Sequence, residues 1–191
     1  MDGANGYEAI AAEYIASRPT RRIGESTVAE WAAELPDGAA VLDLGCGSGE
    51  PIAAALAARG LAIYGVDASP MMIAAFQTRF PNAHAECLTV EASTFFGRKF
   101  DAIVAWGLLF LLPPTTQREL IGKMARALES GGKLLFTAPW QVCSWRDAMT
   151  GSASMSLGWD EYGRVLGEAG FELDGFGVDE GENHYYLATR R

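Results

Sequence analysis

The stretch VLDLGCGSGE, Val41 to Glu50, decides how the rest of the chain is read. Val41, Leu42 and Leu44 surround one acid, Asp43, and then Gly45, Gly47 and Gly49 alternate with Cys46 and Ser48. A short apolar run ending in glycines predicts a buried strand, then a loop whose backbone comes close to something. An acid inside such a run is costly to bury unless it meets a cation or backbone donors. EPIAAALAARG then reads as a helix, with Pro51 in its first turn and Gly60 just past its end.

Outward from this stretch the same alternation continues. LAIYGVD, AHAECL, the start of FDAIVAWGLLFLL, and KLLFTAPW read as strands. SPMMIAAFQTRF reads as a helix with Ser69 as N-cap and Pro70 at its first position. TQRELIGKMARALESGG reads as another, with Thr116 and Glu119 at capping-box spacing and Gly131-Gly132 ending it. WDEYGRVLGEAG is a helix, and FELDGFGVD and HYYLATRR are closing strands with no helix between them. Short strands alternating with helices predict a doubly wound, mostly parallel α/β sheet whose last two strands form an antiparallel edge hairpin. Before the first strand, YEAIAAEYIASR and STVAEWAAELP have helical spacing, so residues 1–38 form a helical cap on an α/β core of residues 39–191, one domain in all. Gln141 to Gly158 has no clear period and is expected to be a long irregular loop.

The totals narrow the function classes. A net charge of −9 and the absence of a basic stripe (Arg21-Arg22 and Arg190-Arg191 are isolated pairs) argue against a nucleic-acid partner. Cys46, Cys87 and Cys143 are too few and too scattered for a disulfide framework, which suits a cytoplasmic protein. No metal is expected, since no cysteine pair has ligand spacing and His84 and His184 lie far apart. No signal peptide or membrane-spanning run is evident.

Several ligands use glycine loops. A dinucleotide loop needs Gly or Ala at its sixth position, where this chain has Glu50, whose charge would repel a pyrophosphate. A phosphate loop needs a following lysine, which is missing. A nucleophile elbow needs a central Ser, where Gly47 stands, and Cys46 has no histidine nearby and reads as a packing residue. A turn made only for strand-to-helix packing stays open, as does a ligand whose ammonium pairs with Asp43. Asp67, closing YGVDAS at the end of the second strand, has two oxygens that suit vicinal ribose hydroxyls.

LDLGCGSG closely resembles the first motif of class I S-adenosylmethionine-dependent methyltransferases. The resemblance implies a Rossmann-like, three-layer α/β/α fold with a seven-stranded sheet, and it runs through DASPMM, TVEAST, FDAIVAWG and ALESGGKLLF. In that family the glycine loop approaches the amino-acid end of the cofactor and the acid helps hold its amino group. The implied cofactor contacts are Asp43, Gly45, Cys46, Gly47 and Gly49 in the first motif and Asp67, Ala68, Ser69 and Met72 in the second. Val90 and Glu91, with Glu86 as the alternative acid, stand for the third motif, and Trp106 and Gly107 end the fourth strand. YEAIAAEY looks like the family's lid helix, in which Tyr14 would close on the cofactor and Tyr7 on the substrate; both tyrosines equally fit a packing role.

The expected reaction is methyl transfer to a small uncharged or cationic acceptor, with release of S-adenosylhomocysteine, by a monomer or homodimer. The alternatives are an S-adenosylmethionine sensor without turnover and an NAD(P)-dependent oxidoreductase. Trp140 and Trp145 are candidates for the acceptor pocket, and His184 and Tyr185 for the catalytic groups, with Asp147 a further candidate in the long loop. Residues 184 and 186 should share one face of the last strand and Tyr185 the other.

Overall fold

The computed structural model describes residues 3–18 and 22–191, so Arg21 lies outside the described residues. Strand β1 (Ala40–Leu44) is buried along its whole length. It pairs in parallel with β2 (Ala62–Asp67) on one side and β4 (Phe100–Ala105) on the other. The sheet extends through β3 (His84–Cys87) beyond β2 and through β5 (Leu128–Thr137) beyond β4. The closing strands β8 (Phe171–Val178) and β9 (His184–Arg190) form an antiparallel hairpin, with β9 inserted beside β5. The order is therefore β3-β2-β1-β4-β5-β9-β8, and it reverses between β1 and β4. Ligands of open α/β sheets bind at that switch point, beyond the carboxyl ends of the strands.

The period-two alternation of the strands separates two cores. Val41, Ile63, Val104 and Leu135 pack against α2 (Glu25–Ala32), α3 (Ile52–Ala58) and α4 (Pro70–Arg79). Leu42, Ile103, Leu134 and Phe136 face the opposite way, onto α5 (Pro114–Ala127) and α6 (Trp159–Glu168). The result is the expected three-layer, Rossmann-like architecture. Val28, Trp31 and Ala32 on α2, and Leu35 just beyond it, are all buried in the first core. Ser69 caps α4 as expected, its hydroxyl accepting from the Met72 amide at 3.1 Å.

Four local expectations are corrected. The N-terminal helix is split into a short 3-10 turn, Glu8–Ile10, and α1 (Ala11–Ser17). Helix α5 starts at Pro114 without a side-chain cap, because the proline has no amide hydrogen to satisfy, and Thr116 lies inside the helix. The same helix ends at Ala127, before the two glycines, because Leu128 turns extended, pairs with Phe100 and buries its side chain. Gln141 to Gly158 is not irregular throughout: β6 (Cys143–Arg146) and β7 (Ala153–Ser156) form a separate antiparallel hairpin. Its inward residues include Ser154 and Ser156, so no apolar alternation announced it.

A buried polar group anchors that hairpin. The Gln117 amide nitrogen donates to the carbonyls of Leu112, at 2.8 Å, and Met155, at 3.1 Å, while its oxygen accepts from the Tyr162 hydroxyl. Gln117→Ala removes all three hydrogen bonds and is expected to destabilise the chain by about 3 kcal/mol in urea unfolding. A loss below about 1 kcal/mol would show that the network is not structural. Among the described residues no helix is long and apolar enough to cross a membrane.

Candidate cofactor and acceptor site

The loop after β1 folds back over β2: the Gly45 and Cys46 amides both donate to the Val66 carbonyl, at 2.8 and 3.2 Å. Gly45, Gly47 and Gly49 all have left-handed φ, at 70°, 52° and 86°. Their surroundings differ. A Cβ on Gly47 would meet nothing within 4 Å, since this glycine faces an open cavity, whereas one on Gly49 would lie 2.3 Å from Phe80. Gly47 thus leaves its backbone open to the cavity, and Gly49 serves packing. Cys46 is buried, and its sulfur would sit 2.8 Å from a Cβ on Gly65. Burial pushes its thiol well above the ordinary range. The packing reading of Cys46 holds, and neither Cys46 nor Gly49 lines the cavity.

Two acids stand beneath and beside this loop. Asp67 accepts the Gly47 amide on Oδ2 and the Ser69 amide on Oδ1, each at 2.9 Å. Burial raises its pKa, against the pull of those two amides. Asp43 is 1% exposed, and its Oδ2 has no partner. Burial, and then the charge of Asp67, push it up to about 8. An orphaned buried carboxyl oxygen is a site that a cation satisfies.

Glu50 turns away from the loop, pairing with Arg79 at 3.3 Å, while the Arg18 guanidinium donates to its carbonyl at 3.1 Å. The charge that argued against a pyrophosphate is therefore partly neutralised, and a cation, Arg18, lines the cavity. Glu86, the alternative third-motif acid, is engaged by the Ser93 hydroxyl at 2.7 Å. Glu91 lines the cavity instead, with Val90. Their loop is clamped by Lys123, whose ammonium donates to the carbonyls of Val90, Glu91 and Ser93. A lysine on the outer face of a helix carried no sequence signal for that role.

The cavity encloses about 280 Å³, near the lower bound for small-molecule sites. Asp67, Ala68, Met72, Val90 and Glu91 line it. Gly45, Gly47, Tyr14 and Arg18 lie at the glycine loop, and Trp106, Gly107, Phe110, Tyr7, Asp147 and Asn183 complete the wall. Ser69 lies outside the lining; its hydroxyl donates to the Glu8 carboxylate, which also accepts the Met71 amide at 3.2 Å. That contact fastens the N-terminal segment to α4. Tyr7 and Tyr14 meet edge to face with ring centres 5.4 Å apart.

The acceptor and catalytic expectations fare differently. Tyr7 lines the cavity, but Trp140 and Trp145 do not. Trp140 packs against Trp159 and Phe176 and stacks on His184 with ring centres 4.1 Å apart. Trp145 backs Phe110, which does reach the cavity, at 5.4 Å. His184 is outside the lining, and its Nδ1 accepts the Trp140 amide at 3.0 Å. Stacking and that hydrogen bond make it a structural post, so the expected base is not at the site. Tyr185 is also outside, tilted against Trp106 at 6.4 Å on the opposite sheet face from Tyr186. Asn183 and Arg18, both in the lining, were missed because neither belongs to a motif. Among the described residues no group of three or more His, Cys, Asp or Glu is placed to hold a metal ion.

The family described as a methyltransferase domain matches residues 41–132. No curated protein sequence matches the chain. Among solved structures, CalS10 from Micromonospora echinaspora, an amino pentose methyltransferase with S-adenosylmethionine bound, is similar with a TM-score of 0.76 and 20% identity, over 94% of this chain and 97% of its own. A TehB-like S-adenosylmethionine-dependent methyltransferase from Corynebacterium glutamicum gives 0.72 and 22% identity, over 96% and 99%. Magnesium protoporphyrin IX methyltransferase from Synechocystis, also with S-adenosylmethionine bound, gives 0.69 and 19%, over 87% and 78%. At these identities the likeness is one of fold. The glycine loop and both acids, Asp43 and Asp67, lie inside the segment that is similar to a methyltransferase domain.

Proposed function

We propose that the cavity binds S-adenosylmethionine and that the chain transfers its methyl group to a small-molecule acceptor. The observation that carries this reading is Asp67, a carboxylate held by the amides of Gly47 and Ser69 in the wall of the cavity, where it can accept from ribose hydroxyls. The residues present fit the cofactor's other groups. Gly47 leaves open space for its backbone to be approached, Asp43 has an orphaned oxygen that favours a nearby ammonium, and Arg18 supplies a cation for a carboxylate. Met72 and Val90 offer apolar surface to a base, and Glu91 an acceptor for an exocyclic amine.

The bound cofactor supplies a methyl group already activated by its sulfonium. The chain's own work is to align the acceptor and exclude water. Glu8 at α4 and Tyr7 at the β6–β7 hairpin hold the N-terminal segment over the cavity. A small acceptor is supported by the small-molecule substrates named for the amino pentose and protoporphyrin enzymes. The free thiols Cys46, Cys87 and Cys143 support a reducing, cytoplasmic setting.

Mass spectrometry of S-adenosylhomocysteine formed from S-adenosylmethionine, across amines, alcohols, thiols and carboxylic acids, tests the reading. Acceptor-dependent release is expected. Tight binding of S-adenosylmethionine with no release for any acceptor would make the chain a sensor.

A further inference from the structure

Two segments far apart in sequence, the N-terminal segment and the turn of the β6–β7 hairpin, both contribute to the cavity wall, through residues that include Tyr7 and Asp147. Asp147, just after β6, is set by its own turn. Its Oδ1 accepts the Met149 amide at 3.0 Å, the Thr150 amide at 2.8 Å and the Thr150 hydroxyl at 3.0 Å. Its Oδ2 takes one long hydrogen bond, from the Tyr7 hydroxyl at 3.3 Å. Among the described residues no lysine or arginine forms an ion pair with this carboxylate; the neighbouring Arg146 donates to the Gly151 carbonyl instead. Phe110 and Trp106 supply aromatic wall to the same cavity.

We infer that the acceptor is a small primary or secondary amine on an apolar or aromatic body, with its nitrogen held by Asp147 Oδ2. This rests on the methyltransferase reading above. The lining holds no histidine, lysine or cysteine among the described residues. The Tyr7 phenol, raised by burial and then by the charge of Asp147, keeps its proton. A hydroxyl acceptor needs a base to remove its high-pKa proton, and the site offers none suited to it. The amine enters as its ammonium, paired with Asp147, and releases one proton to water, which its pKa allows and an alcohol's does not; the neutral amine then attacks through its lone pair. Methyl transfer to it forms a C–N bond and breaks the S–C bond, whose electron pair stays on sulfur. Positive charge passes to nitrogen, where Asp147 stabilises it as it develops. The N-methylammonium product sheds its surplus proton to water. Asp147 and Glu91 repel carboxylate and phosphate acceptors from the same cavity.

The test uses arylalkyl amines with alcohols and carboxylic acids of matched carbon skeletons. Calorimetry measures their binding to the protein loaded with S-adenosylhomocysteine, and mass spectrometry follows methylation with S-adenosylmethionine. Amines alone are expected to bind and to be methylated on nitrogen. Asp147→Asn keeps the turn's acceptor and weakens amine binding to the S-adenosylhomocysteine-saturated protein about 10–100-fold; Asp147→Glu restores part of it. The inference is overturned if alcohols or acids are preferred, if no amine binds the loaded protein, or if Asp147→Asn binds amines normally. A protein that fails to bind S-adenosylhomocysteine at all instead defeats the cofactor reading beneath it.

Discussion

Asp43→Asn is expected to flatten the pH dependence of the ligand-free chain's stability while weakening its hold on S-adenosylmethionine. The folded chain raises the Asp43 carboxyl from 3.8 to about 8, first by burial. Between those values the folded state binds more protons than the unfolded state. The stability contributed by the protonated acid is therefore complete below pH 4, falls as pH rises, and is gone above about 8. Asp67, also raised, adds in the same direction. At about 1.4 kcal/mol per unit, the upper bound on the loss is about 6 kcal/mol. The melting temperature should fall by roughly 10 °C between mildly acidic and mildly alkaline buffer, and the Asp43→Asn variant should lose most of that slope. An ammonium beside Asp43 favours its ionised form, so cofactor binding to the wild type should release protons near neutral pH. Calorimetry in buffers of different ionisation enthalpy reads that release. A wild-type chain that gains stability as pH rises across the same window would contradict the buried-acid account.

Asp67→Ala is expected to remove the response to the cofactor. The carboxylate has two jobs: it ties Gly47 to Ser69, and it lines the cavity as an acceptor. Losing charge-assisted hydrogen bonds to two hydroxyls should weaken S-adenosylhomocysteine binding by at least about 100-fold. At a ligand concentration of about 100 times the wild-type dissociation constant, mass action stabilises the wild type by about 2.7 kcal/mol and the variant by under about 0.5 kcal/mol. Asp67→Asn, which keeps an acceptor for one backbone amide, separates loss of the ligand from loss of the loop. An undiminished thermal shift in Asp67→Ala would remove Asp67 from the ribose site.

What was legible in the sequence is what is encoded locally. The strand before Gly45, the Ser69-Pro70 helix start and the Asp67 strand end each depend on neighbours within a few residues. The sheet hairpin was legible because β8 and β9 follow each other directly in sequence. The misreadings depend on distant partners. His184 looked like a base by its place after the last turn, yet Trp140, 44 residues earlier, captures its ring and Nδ1. Leu128 leaves its helix because Phe100 pairs with it across the sheet. Asp147 lay in a stretch with no period, and only the fold brings it to Tyr7, 140 residues away. The β6–β7 hairpin hid because its buried positions are serines, whose burial is made tolerable by contacts such as the Ser156 hydroxyl donating to the Pro139 carbonyl at 2.6 Å.

The central claim is that the cavity between the glycine loop and Asp67 takes S-adenosylmethionine rather than a phosphate-linked dinucleotide. Isothermal titration of the ligand-free chain with S-adenosylhomocysteine, and separately with NADH and NADPH, tests it most directly. The account predicts one saturable S-adenosylhomocysteine site that Asp67→Ala abolishes, and no measurable heat from either dinucleotide. Dinucleotide binding as tight as that of S-adenosylhomocysteine, or no S-adenosylhomocysteine binding by the folded wild type, would contradict it.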